Sequence, residues 1–184
     1  MNDPFADLQA ATRQHRAQHG CEAYTFEDGP ALTRLVADTR PARVLELGTA
    51  IGYTACCLAQ GWAGAQIDTV ESDSEHVRLA RMHIADRGLA ARIRVHEGQF
   101  DSVLETRTAG YGLGFFDGFA PPLATLQRMH ALLAEGGLLV CSNLQLARGP
   151  AAHSLAAYLT DGARWARQAP IERGCTVVLA KRRA

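Results

Sequence analysis

Short continuous apolar runs alternate along this chain with stretches whose apolar residues recur every three to four positions, a pattern that predicts strands and helices in turn. Up to about residue 26 the sequence is polar with scattered apolar positions. That reads as one N-terminal helix followed by a loop through Glu27, Asp28, Gly29 and Pro30. In ALTRLVADT, Leu32, Leu35 and Val36 share one helical face, and Pro41 ends the helix. The run RVLEL (residues 43–47) is a strand, followed at once by a turn bounded by Gly48 and Gly52 and a helix over residues 53–60. A second strand, residues 66–70, ends on Glu71, and SEHVRLARMHIADR (residues 74–87) is an amphipathic helix closed by Gly88.

The rhythm continues with strands over residues 92–96 and 112–116, the latter ending on Asp117. Pro121 and Pro122 open a helix running to Leu133, and Gly136-Gly137 breaks the chain before a buried-type strand over residues 138–141. A helix near residues 151–159 and a closing strand over residues 175–180 complete the pass. Strands and helices in regular succession predict an α/β fold with a mostly parallel sheet covered on both faces, the Rossmann-like doubly wound arrangement. At 184 residues there is room for one domain: an N-terminal helical or lid segment (1–30) on a core of residues 31–184.

Composition narrows the classes of function. Nineteen basic and nineteen acidic residues cancel, so no net field attracts a nucleic acid or an anionic membrane. No apolar run is long enough to span a bilayer, the N-terminus has no apolar signal region, and five cysteines without CxxC spacing suggest neither a disulfide framework nor a zinc site; the expectation is a cytoplasmic protein. Lys181 is the only lysine, so a catalytic ammonium has a single source.

In an open α/β sheet ligands bind beyond the carboxyl ends of the strands, which directs attention to the residues just after each strand. Glycines 48 and 52 allow a sharp turn and a close ligand approach, although a tight strand-to-helix connection needs them equally. Glu71, about twenty residues on, is placed to accept both hydroxyls of a ribose, or else is a solvated acid beside Asp73. Asp117 ends a further strand, where it serves as a proton acceptor, a partner for an ammonium, or a cap for the turn at Gly118. Among seven histidines, His153 is the candidate general base; Phe119 is the candidate aromatic of an acceptor pocket, ahead of Tyr24, Phe26, Trp62 and Trp165.

The motif VLELGTAIGYTACCLA (residues 44–59) resembles the first motif of the catechol O-methyltransferase-like, S-adenosylmethionine-dependent methyltransferases. The resemblance continues through VESDSEHVRLAR (70–81), RIRVHEGQFDSVL (92–104), the stretch from Phe115 to Asn143, and GCTVVLAKR (174–182). It implies a seven-stranded sheet with an antiparallel final strand. It also implies an S-adenosylmethionine site in which Glu46, Gly48, Thr49, Gly52 and Tyr53 meet the methionine end, Glu71 holds the ribose, and Gly98, Gln99 and Phe100 flank the adenine. In that family the counterpart of Asp117 is a metal ligand joined by an Asp-Asn pair, and a lysine follows three residues after it. Here the pair is Ser142-Asn143 and the lysine position is Ala120, so Asp117 and Asn143 make at most a weak metal site and a divalent metal is not expected.

The expected function is therefore methyl transfer from S-adenosylmethionine to a small-molecule acceptor, with Asp117 as the catalytic residue and Phe119, Asn143 and His153 toward the acceptor. Neither a membrane nor a nucleic acid is an expected partner, and the family resemblance allows a homodimer. A non-catalytic S-adenosylmethionine-binding module and a tRNA-base methyltransferase are the alternatives; a nicotinamide dehydrogenase is disfavoured by the glycine spacing.

Overall fold

The structure, a computed structural model, describes residues 3–183; Met1, Asn2 and Ala184, the outermost residues of the expected N-terminal segment and core, lie outside the described residues. Five strands run parallel: β1 (Arg43–Leu47), β2 (Gln66–Glu71), β3 (Ile93–Glu97), β4 (Tyr111–Phe116) and β5 (Leu133–Cys141). Two more, β6 (Trp165–Arg167) and β7 (Val177–Lys181), complete a seven-stranded sheet in the order β3-β2-β1-β4-β5-β7-β6, with β7 antiparallel to both its neighbours. This is the expected doubly wound architecture with its antiparallel final strand.

The central strands are apolar on both sides, and helices cover both faces. On one face lie α1 (Ala6–His19), α2 (Gly29–Thr39), α3 (Tyr53–Gly61) and α4 (Ser74–Asp86), which meet the sheet through residues such as Leu8, Leu32, Leu58 and Ile84. On the other lie α5 (Phe100–Glu105), α6 (Leu123–Leu132) and α7 (Gly149–Thr160), whose Leu104, Met129 and Leu155 join Leu45, Leu47 and Phe116 of the sheet. Asp28 and Asp73 accept hydrogen bonds from the first free amides of α2 and α4, which fixes where these helices start. Lys181, the single lysine, donates from Nζ to the carbonyls of His130 and Leu133 at 2.9 and 2.8 Å, so it caps the end of α6 and is remote from chemistry.

Three elements depart from the sequence expectation. Helix α5 has six residues, too few for a periodicity to declare itself, and β6 has three. Strand β5 begins at Leu133 and carries Gly136-Gly137 within it, because an irregularity opposite Tyr111 and Leu113 of β4 absorbs the glycines without ending the pairing. No described helix is long and apolar enough to cross a membrane.

The N-terminal segment is tied down by buried side chains. Leu8 is buried with α3, Arg87 of the loop after α4 pairs with Asp7 at 2.6 Å, and Phe26 packs edge-on against Phe115 with ring centroids 5.3 Å apart. Because Phe26 is buried, Phe26→Ala is expected to lower unfolding free energy by about 3 kcal/mol in denaturant titration. The same variant should expose residues 20–28 to limited proteolysis under native conditions.

Candidate functional site

The strand order reverses direction between β1 and β4, so the connections leaving these two strands depart to opposite faces and open a crevice. The first connection turns at Gly48, whose φ of 107° is open chiefly to glycine. A β-carbon there would stand 2.6 Å from the carbonyl oxygen of Asp117, so glycine is required both by conformation and by the contact across to the end of β4. Ala50 also has a positive φ, 44°, and its amide donates to Glu71 Oε2 at 2.9 Å. Glu71 Oε1 accepts from the amides of Ser72 and Asp73, so this carboxylate joins the turn after β1 to the turn after β2.

Around this turn lies a cavity of about 870 Å³, within the range of roughly 300–1,000 Å³ usual for small-molecule sites. One wall is made by Gly48, Thr49, Ala50 and Tyr53, with Glu71 and Ser72 beside them. Phe100 stands at one side, and Asp117, Gly118, Phe119, Ser142 and Asn143 form the floor and far side. The N-terminal segment supplies the remaining wall through Thr12, Glu22, Tyr24, Thr25 and Phe26. Phe119 and Tyr24 are 68% and 57% exposed, large apolar rings at the cavity that face solvent.

Asp117 sits at the centre of a small polar network. Ser142 Oγ lies 2.6 Å from Asp117 Oδ1 and 3.0 Å from the carbonyl of Phe116. Asn143, in a left-handed conformation at φ 61°, donates from Nδ2 to the Gly118 carbonyl at 2.7 Å and to Asp117 Oδ1 at 3.4 Å. Burial pushes the Asp117 carboxyl up to about 8; the Ser142 hydrogen bond opposes this, and the Glu46 and Glu172 charges add to it. Both protonation states are accommodated: ionised Asp117 accepts from Ser142, and protonated Asp117 donates to Ser142 while the serine proton turns to Phe116.

The structure brings some of the expected site residues together and keeps others apart. Gly48, Thr49, Tyr53, Glu71, Phe100, Asp117, Phe119 and Asn143 converge on the cavity. Gly52, with φ 103°, starts α3 behind the turn and packs toward Ala80 of α4. Glu46 does not reach the cavity wall: it is completely buried, and Oε2 accepts from Thr69, while Oε1 has no partner within hydrogen-bond distance among the described residues. Desolvation pushes this carboxyl up to about 7 against the hydrogen bonds of Thr54 and Thr69, so Glu46 underlies the turn as a buried acid.

Gly98 and Gln99 are outside the lining of the cavity, and Gln99 is exposed ahead of α5, so only Phe100 of that trio reaches it. His153 is corrected as well. It lies on the solvent side of α7 with Nδ1 3.1 Å from the Gly149 carbonyl, because Leu155, Tyr158 and Leu159 occupy the buried side. Trp62 and Trp165 lie elsewhere, whereas Tyr24 and Phe26 do line the cavity. Glu172 is a lining residue with no sequence signal, brought in by a 3-10 turn (Glu172–Gly174) before β7.

Toward a metal ion, Asp117 offers one carboxylate and Asn143 one amide oxygen, with the Ser142 hydroxyl where the resembled family has a second acid; such a set holds a hard dication weakly.

Residues 45–144 match the family model described as a methyltransferase domain. The catechol O-methyltransferase of Mycobacterium tuberculosis is 31% identical over 126 residues, 66% of this chain and 57% of that protein. The chain spans about half the length of the curated relatives it matches. Among solved structures, the O-methyltransferase TomG of Streptomyces achromogenes, in complex with SAM, superimposes with a TM-score of 0.82 at 19% identity, covering 97% of this chain and 90% of that one. An O-methyltransferase of Bacillus cereus in complex with SAH gives 0.79 at 18% identity, covering 96% and 91%.

Two acids raised by burial make stability fall as pH rises. Each binds its proton more tightly folded than unfolded, so the folded state loses ground from the unfolded carboxyl pKa, near 4, up to about 7 for Glu46 and about 8 for Asp117. Glu46→Gln and Asp117→Asn are each expected to flatten the decline in melting temperature between about pH 5 and pH 8, relative to the unsubstituted protein without ligand.

Proposed function

Because this chain belongs to the methyltransferase domain family, we propose that it uses S-adenosylmethionine to methylate a hydroxyl oxygen of a small molecule. The observation that carries this reading is the convergence of the Gly48 turn, the Glu71 carboxylate and Asp117 on one cavity at the strand-order reversal. The residues suit such a ligand. The Gly48 turn lines the cavity with backbone alone, and two acids with raised pKa lie in and beneath its wall, where a cationic ligand would favour their ionised forms.

When bound, S-adenosylmethionine supplies an electrophilic methyl group on a sulfonium. Glu71 would accept from ribose hydroxyls, at the cost of loosening its own bonds to the turn amides. Phe100, in the cavity lining, would give the adenine an aromatic neighbour. Phe119, Tyr24 and Phe26 form an apolar wall that holds the acceptor and excludes water. Asp117 takes the acceptor's hydroxyl proton, and Ser142 steadies either form of the carboxyl. The donor set at Asp117 and Asn143 supports catalysis by orientation and proton transfer without a divalent metal.

Titration calorimetry with S-adenosylmethionine is expected to show one site, unchanged by Mg²⁺. Glu71→Ala should weaken it by roughly tenfold or more, since charge-assisted hydrogen bonds are lost. No measurable binding to the unsubstituted protein would overturn the reading. A second measurement concerns protons. A cation near Glu46 and Asp117 lowers their pKa, so binding at about pH 7.5 should release protons, read as a dependence of enthalpy on the buffer's ionisation heat. Asp117→Asn should reduce that release, and S-adenosylhomocysteine, which has no sulfonium, should release fewer.

A further inference from the structure

The histidines outside the cavity are unevenly distributed. His83, His96 and His153 each have a hydrogen-bond partner at a ring nitrogen. His15, His19 and His76 instead crowd against one another, with ring centroids 4.5 Å apart for His15 and His19 and 5.3 Å for His15 and His76. Among the described residues, His15, Cys21 and His76 are the one group of three potential metal ligands whose ligating atoms all lie within 4.8 Å of one another.

Each member is placed there by local structure. His15 and His19 are four residues apart on α1 and so share a helical face. Gly20 ends the helix with φ 63°, and Cys21 follows at once, turned back alongside that face. His76 stands in the first turn of α4, held by the Asp73 cap, whose Oδ1 accepts from the amides of Glu75 and His76. His76 is buried, whereas His15 and Cys21 are partly open to solvent, so an ion has a way in.

We propose that His15, Cys21 and His76 bind a zinc-type transition-metal dication, which ties the N-terminal segment to α4. One thiolate with two imidazoles selects zinc or a similar borderline ion over magnesium or calcium, which prefer oxygen ligands. A tetrahedron with Zn–N near 2.0 Å and Zn–S near 2.3 Å has N–N and N–S edges of about 3.3 and 3.5 Å. The present ligand atoms are at most about 1.5 Å too far apart, a gap to be closed by side-chain rotation on the partly exposed His15 and Cys21. His19, whose ring lies beside that of His15, or a water completes the set.

The position gives the ion a consequence. Residues Glu22 to Phe26, just after Cys21, line one side of the cavity, and Glu71 and Ser72, just before α4, line another. An ion at this site joins two cavity walls and adds to the Arg87–Asp7 ion pair between α1 and the end of α4. The site is separate from Asp117 and does not depend on which ligand the cavity takes.

The test uses the full chain, stripped with chelator and kept in a phosphine reductant. Titration with Co²⁺ should saturate at one equivalent and show the intense tetrahedral visible bands together with a thiolate-to-cobalt charge-transfer band. Zn²⁺ should displace the cobalt and raise the melting temperature. Cys21→Ser should lose the charge-transfer band, and Cys21→Ser and His15→Gln should each weaken binding by more than the roughly tenfold to hundredfold that loss of an outer-shell contact costs. His83→Gln, on the same helix as His76, should titrate like the unsubstituted protein. Weak octahedral cobalt spectra, or equal affinity in Cys21→Ser, His15→Gln and the unsubstituted chain, would overturn the proposal.

Discussion

The close approach of Gly48 to the backbone of Asp117 is the contact on which the cavity depends. It brings the ends of β1 and β4 together where the sheet reverses its order, and it is possible only without a β-carbon and with a backbone angle that other residues rarely adopt. From it follow the position of Ala50 under the Glu71 carboxylate, the opening of the crevice toward solvent, and the location of Asp117 on its floor. A larger residue at position 48 would separate the strands' ends and with them the two halves of the site.

Around that contact the protein assembles carboxyls in surroundings that favour their neutral forms. Glu46 has an oxygen with no partner, and Asp117 is held by Ser142 and Asn143. Buried acids without counter-charges are costly unless protonated, and a cationic ligand converts that cost into affinity. The same arrangement leaves Asp117 able to take up a proton near neutral pH, so in the proposed methyl transfer recognition and proton transfer would draw on one electrostatic feature.

The remaining wall comes from the chain's first thirty residues. Phe26 is anchored on Phe115 of the central sheet, while Tyr24, two residues away, remains largely exposed at the cavity with Arg16 stacked on its ring at 3.8 Å. Anchored and exposed aromatics in so short a stretch make this segment the part of the site most open to adjustment by a ligand. The His15, Cys21 and His76 group lies where α1 passes into this segment.

The sequence by itself determined the order of the main strands and helices, the glycine turn, and the acids Glu71 and Asp117 at strand ends, because these depend on periodicity and on local backbone demands. Short elements escaped it: α5 and β6 are too brief for a period, and Gly136-Gly137 read as a break although β5 runs through them. Only the tertiary structure decided which side chains share a space. Glu46 and Glu71 carry the same charge in the same kind of motif, yet one is sealed beneath the turn and the other faces the cavity, a distinction set by the pleat and by Thr69 beside it. Glu172 enters the cavity, and His76 meets His15 and Cys21, across separations of more than fifty residues. Such meetings are set by how helices pack on the sheet, and neither composition nor spacing encodes them in a form that can be read along the chain.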